Sequence, residues 1–497
     1  MFTTDLRRPL FSLPLVAALI VLAGGLVDRT LYFDGDPYWH VAVGQWIAAN
    51  HAVPVQDAYS FTHPGLAWTA HEWLSELVMF GAYRFGGWPA IQVLTAGAFA
   101  LTAGYMLRFL LDRMSPATAV TSCVVCVSLM SMHYYGRPHV LVWPITALWV
   151  GTLTAAGEDR RPPPWWLLPL FIVWANLHAS FTLGLGFAGA LALDACWSAD
   201  AGAQRATLLR RWSVFLLAAG ACAIVNPRGI DALTHAMGVM RMKATLDIVA
   251  EWKSADFHQF QFLTVWLALV MTAAFTGRLR LSPIRIVFVL GLLYLALKHQ
   301  RYHAMVGLVS PFLLARPLGE GMRRAAGDAV DALAPHFTPT AALAARASRA
   351  GIVLAALAAV GIVAACRPLI PAGPTVFFTP SAALAAFDAT GIKANVFNSY
   401  GFGGYLIFRQ VPVFVDGRGD MYGDTFMSEI DDAGLSKKPH ALDSLLTKYH
   451  IGWTLLRPNT AAVELLDHLP AWQKLYADSV AVVHVRRDLM AASRPAP

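Results

Sequence analysis

Charge is what this chain has least of. Asp, Glu, Lys and Arg make up 14% of its 497 residues, against 57% hydrophobic ones, whereas about a quarter of a soluble globular chain is charged. This excludes an ordinary soluble domain and predicts a polytopic membrane protein. Cysteine is also scarce: Cys123, Cys126, Cys196, Cys222 and Cys366 are the full complement, and none follows residue 366. A C-terminal region on the oxidising side of a membrane would therefore fold without disulfides. Cys123 and Cys126 have C-x-x-C spacing but lie in an apolar helix without a second pair, so core packing is expected there rather than a metal. No small-x-small cleavage site with a soluble domain behind it follows "RRPLFSLPLVAALIVLAGG", which predicts a retained anchor. No transporter-type internal repeat is evident.

Long apolar runs, by contrast, are abundant. Candidate spans fall at 11–27, 88–107, 117–135, 138–156, 164–177, 181–197, 212–226, 259–276, 283–298, 302–316 and 350–366, eleven stretches of about the length a bilayer needs, the fifth and sixth forming a tight hairpin. The basic residues sort by side. Seventeen, among them Arg7, Arg8, Arg113, Arg285, Arg316 and Arg346, fall in one set of connections; nine, including Arg137, Arg228, Arg241 and Arg301, fall in the opposite set, although it is longer in total. The net charge of +7 thus reflects membrane topology, and no nucleic-acid partner is expected. The N-terminus is predicted to be cytoplasmic and residues 367–497 extracytoplasmic, in a multi-pass protein of the inner membrane.

The expected fold class is therefore a polytopic α-helical membrane protein of about eleven transmembrane helices, with a C-terminal extracytoplasmic α/β domain. Residues 1–366 form the transmembrane domain, with a long first outer loop at 31–87, and 367–497 the soluble domain. In the first loop "YWHVAVGQWIAAN" and "TAHEWLSELVMFGAYRF" have apolar residues at helical spacing with aromatic edges, which predicts helices lying on the membrane surface. A second long outer loop runs from 226 to about 258, and 317–349 reads as a partly helical cytoplasmic connector. In the C-terminal domain "TPSAALAAFDATG" reads as a capped helix. "VPVFVDG", "IGWTLL" and "SVAVVHV" read as strands, with "ALDSLLTKYH" a helix.

Ionisable residues near hydrocarbon are costly, so their placement is informative. Asp34, Asp36, His40, His71, Glu72, Arg137, His139, Asn176, His178, Asn226, Arg228, Glu251, His299, Arg301 and His303 all fall at the outer ends of spans. A transporter needs polar groups near the midplane; this distribution points instead to binding or chemistry at the outer boundary. Asp34 and Asp36 could hold a cation or accept a proton, and Arg137, Arg228 and Arg301 could grip a phosphate. Each also has a plainer reading. "DGD" is a common turn composition, Arg137 and His139 could snorkel around Pro138, and His178 could be satisfied by a carbonyl in its hairpin. "HQRYH" could anchor at the interface, and Arg241, Lys243 and Lys253 read as solvated loop charges.

The stretch "DGDPYWHVAVGQWI", after a single span and at the start of a long outer loop, resembles the first loop of GT-C fold glycosyltransferases. Its "DPYWH" is similar to the Asp-Pro-Tyr-Tyr-His type of stretch in oligosaccharyltransferase catalytic subunits. The resemblance implies an integral membrane enzyme that takes a sugar from a polyprenyl-phosphate or -diphosphate carrier, with Asp36 as the catalytic carboxylate and Asp34 its companion. "NSYGFGGYLIFRQVPVFVDGRGDMYGD" resembles the Trp-Trp-Asp-Tyr-Gly entry to the soluble domain of those subunits. Tyr400 and Gly401 match the motif's end, but Phe397, Asn398 and Ser399 replace its Trp-Trp-Asp, which argues against sequon peptides as acceptor. "GFGG" is no nucleotide loop, because G-x-G-x-x-G fails at Leu406. Between the third and fourth spans "HYYGRPH" lacks the acidic motif that relatives often carry.

The expected reaction is inverting transfer from the polyprenyl-linked donor to a glycan, lipid or protein acceptor outside the membrane. Asp36 would be general base, and Arg137, Arg228 and Arg301 would meet the donor phosphate. His40, His71, Glu72, His139, His178, Glu251 and His303 are further candidates for the site. Tyr400, Asp416 and Arg418 would face the acceptor. Asp34, Asp36 and Glu72 could hold a divalent cation, Mg or Mn, although a metal-independent route is equally open. The alternatives are an O-antigen ligase or polymerase acting through outer Arg and His, a transporter or flippase, and a non-catalytic assembly protein.

Overall fold

Each of the eleven apolar stretches contains a helix, and the helix ends follow local chemistry. The computed structural model describes residues 10, 12–239, 242–326, 347–435 and 437–492. Arg7, Arg8, Arg241 and Arg346, and positions 327–346 of the connector, lie outside the described residues. The chain begins with α1 (Leu13–Val27) and then α2 (Asp36–Asn50). The 39-residue α3 (Trp73–Leu111) follows. At about 1.5 Å per residue α3 would be about 58 Å long if straight, nearly twice a hydrocarbon core. Gly86 and Gly87 leave helical geometry, Gly87 at a φ of 64°, a conformation open chiefly to glycine. The kink separates a loop segment from the apolar segment that begins near Pro89.

The helices α4 (Pro116–Ser131), α5 (Pro138–Leu141) and α6 (Trp143–Glu158) follow. Next come α7 (Leu167–Leu177), α8 (Phe181–Trp197) and α9 (Ala203–Ala223). In the second long loop, the one expected from the sequence to lie outside, are α10 (Asp231–Val239) and α11 (Ala244–Ile248). Then α12 (Phe262–Phe275), α13 (Pro283–Lys298), α14 (His303–Ala326) and α15 (Arg349–Cys366) complete the helical part. Ser115, Ser282 and Ser348 cap α4, α13 and α15 by accepting from Thr118, Arg285 and Gly351 N–H, while Pro116 and Pro283 occupy first-turn positions where no N–H is needed. By length and composition Trp73–Leu111, Ala203–Ala223 and Arg349–Leu369 suffice to cross a membrane, with shorter apolar helices among them. At the helix ends opposite the first loop, Arg285 pairs with Asp194 at 2.7 Å and Glu158 at 3.2 Å. Arg113, in the turn after α3, joins Glu158 at 3.0 Å, so that turn, α6, α8 and α13 are tied by one ionic cluster.

The C-terminal region carries a four-stranded sheet in the order β1-β2-β4-β3: β1 (Asn395–Asn398), β2 (Ile451–Leu456), β3 (Trp472–Ala477) and β4 (Val482–Arg486). β1 and β2 are parallel and the other pairs antiparallel. Helices α16 (Ser381–Asp388), α17 (Gly403–Phe408), α18 (Gly419–Gly434), α19 (Ala441–Lys448), α20 (Ala461–His468) and α21 (Arg487–Ala492) surround it. Every residue of β2 is buried, and the ring of Phe387 from α16 stacks on Trp453 at 3.7 Å.

Three expectations change here. "VPVFVDG" is not a strand of this sheet: Val413 bridges to Ser60 of the first loop, and the Asn398 side chain accepts the N–H of Phe414 and donates to the carbonyl of Val415. The helix in "TPSAALAAFDATG" starts after Pro380 without a side-chain cap. The third concerns α2, which does not lie on the surface. Tyr38, Trp39, Val43 and Ile47 share one buried core with Leu384, Val396, Leu406 and Trp453, because α2 presents apolar residues on several faces and packs between α3 and the C-terminal region. Glycine permits that approach: a Cβ at Gly404 would collide with the Gly35 carbonyl. Trp39 is therefore a core residue, 6% exposed, and not an interfacial anchor.

Candidate active site

The turn before α2 sets the geometry. Asp34 Oδ1 accepts the N–H of Asp36 at 3.2 Å, an Asx-type turn. Asp36 is then the first residue of α2, followed by Pro37, where the helix dipole favours a carboxylate. "DGD" is thus both a turn and the means of aiming Asp36. The carboxylate looks into a cavity of about 710 Å³ enclosed by the first loop, the ends of several apolar helices, the second outer loop and the C-terminal region. Gly417 lies against Asp36 and the Trp39 indole, leaving no room for a side chain there.

Arg137 organises the acidic floor. Its guanidinium grips both oxygens of Asp34, one through Nη2 at 2.9 Å and the other through Nε. Nη1 stands 3.1 Å from Asp36 and 3.3 Å from Glu251. Arg301 meets Glu251 at 3.4 Å and stacks over Trp252 at 4.2 Å. Burial pushes the Asp36 carboxyl up to about 7, with Arg137 opposing the rise and Asp34 and Glu251 adding to it. Burial would raise Glu251 as well, but Arg137 and Arg301 outweigh it and hold that carboxyl well below its usual range. Neighbouring carboxylates are thus driven apart, one poised near neutrality and one fixed as an anion.

A second group surrounds Glu72. His178 Nε2 lies 3.3 Å, His71 Nε2 3.9 Å and His40 Nε2 4.0 Å from its oxygens. Burial pushes Glu72 up to about 8, so at neutral pH it carries a proton. Nearby, His71, His235 and Asp420 offer three ligand atoms within 4.8 Å of one another. His235 Nε2 is 3.2 Å from Asp420. Burial lowers His71 to about 4, and the bond from His235 overcomes burial to hold Asp420 down to about 2. One neutral imidazole and an anionic carboxylate are thus in the protonation states a metal requires.

Of the residues expected from sequence, Asp36, His40, His71, Glu72, Arg137, His139, His178, Glu251, Arg301, Tyr400 and Arg418 line this one cavity. The others have different positions. Asp34 stands behind the cavity wall, buried against Arg137. Arg228 does not line the cavity, although its charge disfavours protonation of His71. His303 is buried at the start of α14, outside the lining. Asp416 is fully buried and holds Arg418 through two hydrogen bonds, at 2.8 and 2.7 Å; Arg418 also reaches Asp57 at 2.7 Å. In the structure this pair is an ion-paired clamp, with Arg418 also lining the cavity. The expected cation set of Asp34, Asp36 and Glu72 also fails to assemble, because Arg137 occupies both aspartates. Among the described residues the group that could hold an ion is His71, His235 and Asp420.

Sequence reasoning missed His133, His235, Glu76 and Asp420, which also line the cavity. His133 is the first residue of the quoted "HYYGRPH" and approaches Glu251 at 3.6 Å; Asp420 ends the "VDGRGD" run of the quoted C-terminal stretch. His235 carried no signal, since its partners are distant in sequence.

No family model matches the sequence, and no curated protein matches it. Among solved structures the chain is similar to ArnT from Cupriavidus metallidurans in the apo state, at 13% identity and a TM-score of 0.51, over 98% of each chain. It also matches a crystal structure of ArnT from Cupriavidus metallidurans bound to undecaprenyl phosphate, at 13% identity and a TM-score of 0.48, over 96% of this chain and 98% of that one. The apo likeness shows a shared fold. This chain is a polytopic helical membrane protein of GT-C-like fold, as the resemblance of its first loop implies.

Proposed function

We propose that this chain transfers a sugar from a polyprenyl-phosphate or -diphosphate donor to an acceptor at the outer face of the inner membrane. One observation carries the reading: a helix-initiating carboxylate, Asp36, opens onto a cavity at the ends of the apolar helices, beside Arg137 and Arg301. The GT-C-like fold and the resemblance of "DPYWH" support the same donor class, and ArnT is itself described as binding undecaprenyl phosphate.

In this reading the acceptor hydroxyl attacks the anomeric carbon while Asp36 takes its proton. The bond from that carbon to the carrier phosphate breaks, and the phosphate leaves with the electron pair. Arg301, which meets one carboxylate, Glu251, is the better placed cation for the departing phosphate; Arg137 is already shared among Asp34, Asp36 and Glu251. Glu72, protonated at neutral pH, can orient the acceptor by donating a hydrogen bond.

The direct test is mass spectrometry of lipid-linked sugars and surface glycans in a deletion strain. Donor accumulation and loss of one glycan residue, reversed by the wild-type gene, are expected. Unchanged glycans would overturn the reading.

The pH dependence follows from Asp36. A base must be deprotonated, and burial lifts this group to about 7. The rate should therefore climb about tenfold per pH unit below 7 and level off between 7 and 8, where Glu72 begins to lose its proton. A flat profile between pH 5 and 8 in the purified enzyme would remove Asp36 as the titrating base.

We further propose that the cation belongs to His71, His235 and Asp420. Two imidazoles and a carboxylate suit zinc better than the Mg or Mn expected from an all-oxygen set. The three ligands come from the first loop, the second outer loop and α18, so the ion would pin these segments together. Elemental analysis of purified protein should find about one zinc per chain, lost in His235→Ala, and chelation should lower the melting temperature. Equal metal content in wild type and variant would contradict the assignment.

A further inference from the structure

The first and last long apolar helices run side by side, with Leu22, Leu26 and Ala96 buried alongside Ile362 and Val363. Beyond their ends, in the segments leading to the first loop and to the sheet, lies an apolar patch unrelated to the cavity. Phe33 stacks on Phe377 with centroids 5.4 Å apart and meets Phe378 edge-on. The Thr375 N–H donates to the Tyr32 carbonyl, joining the two segments. Leu369 is 60%, Val376 74%, Phe33 54% and Phe377 41% exposed. Large apolar residues grouped in this way mark an interaction surface. The helix before them, Arg349–Leu369, is 6% buried in its apolar window, so the patch continues a surface already given to lipid.

Behind the patch stands Arg457, the residue that follows β2. Its guanidinium lies 3.5 Å from the Phe377 ring centroid and 5.0 Å from those of Phe378 and Phe402. No carboxylate pairs with it among the described residues, and its buried Nη1 has no hydrogen-bond partner. Burial alone acts on its pKa, lowering it to about 10. A buried guanidinium donor left unpaired is costly, and the ring faces cover the group without using its in-plane N–H donors. A phosphate could take those donors in the plane.

We infer that Phe33, Leu369, Val376 and Phe377 form a bilayer-facing patch, and that Arg457 behind it binds the phosphate of an anionic membrane phospholipid. The rings and aliphatic side chains continue the exposed apolar surface at the C-terminal end of Arg349–Leu369, and the guanidinium behind them supplies the charge complement to a phosphate. This site is separate from the transfer chemistry, since neither Arg457 nor Phe377 lines the cavity.

The test is native mass spectrometry of the full chain, titrated in parallel with phosphatidylglycerol and phosphatidylcholine. Wild type should retain phosphatidylglycerol in preference. Arg457→Gln should lose about fivefold to tenfold of that preference, and Arg457→Lys should keep part of it, because the charge remains but the fork does not. Phe377→Ser, an exposed change that leaves the cation in place, should also weaken retention, and it serves as the reading if Arg457→Gln unfolds. Equal retention of both lipids by wild type would overturn the proposal, as would phosphatidylglycerol retention unchanged in Arg457→Gln and Phe377→Ser.

Discussion

Replacing Asp36 with Asn is expected to lower kcat by roughly two to four orders of magnitude while leaving donor affinity within about threefold of wild type. The amide matches the carboxylate in shape, so the first turn of α2 and its Asx turn persist, but it cannot accept the acceptor's proton. Nor does the substitution strand a charge: Arg137 keeps its bidentate grip on Asp34 and its contact with Glu251 at 3.3 Å. A fall in kcat with unchanged donor binding therefore isolates the chemical step. The measurement is transfer by purified enzyme, with donor binding followed separately, and with lipid-linked sugars and surface glycans analysed in the complemented deletion strain. Normal transfer by Asp36→Asn would leave the fold intact as a finding and end the case for Asp36 as base, moving weight to Glu72 or to a non-catalytic role.

How far the sequence could reach depended on the range of the signal. The stretches 181–197 and 283–298 coincide with α8 and α13 to the residue, because Ser180, Ser282 with Pro283, and His299 punctuate them locally. The convergence of Asp36, His40, Glu72, Arg137, His139, His178, Glu251 and Arg301 was also legible, since placing each at the outer end of a span already confined them to one layer. What could not be read was pairing across distance. Asp34 and Asp36 looked like a cation pair until Arg137, 103 residues beyond Asp34, occupied them. His235 and Asp420 have no spacing signature, although their side chains meet at 3.2 Å. "VPVFVDG" reads as a buried strand because it is almost wholly apolar, yet its backbone pairs with the Asn398 side chain and with Tyr59 and Phe61 of the first loop. The true strands β1 and β3 were hidden: one has four residues with Asn at both ends, and the other carries Gln473 and Lys474.

Arg418 is where a sequence reading and the structure predict opposite experiments. An acceptor-binding arginine, once removed, would raise KM and leave the protein stable. The observed Arg418 is 1% exposed, sends Nε and Nη2 to Asp416 and Nη1 to Asp57, and packs 4.6 Å from the Trp68 ring. Tyr422 donates to the same Asp416 at 2.6 Å. Because Asp57 belongs to the first loop, this ion triad ties that loop to the C-terminal region beside the cavity. Arg418→Ala would leave two buried carboxylates facing each other without a cation, a loss of roughly 3 to 5 kcal/mol when one partner of a buried pair is removed. The expected result is a large drop in melting temperature, with rapid proteolysis of the C-terminal region. Arg418→Lys should recover little, since an ammonium cannot span both carboxylates in the fork geometry. The triple variant Arg418→Met, Asp57→Asn, Asp416→Asn should recover much of the loss, because no uncompensated charge stays buried. If Arg418→Ala kept its melting temperature and raised only the acceptor KM, the clamp would be wrong and the arginine would belong to the acceptor after all.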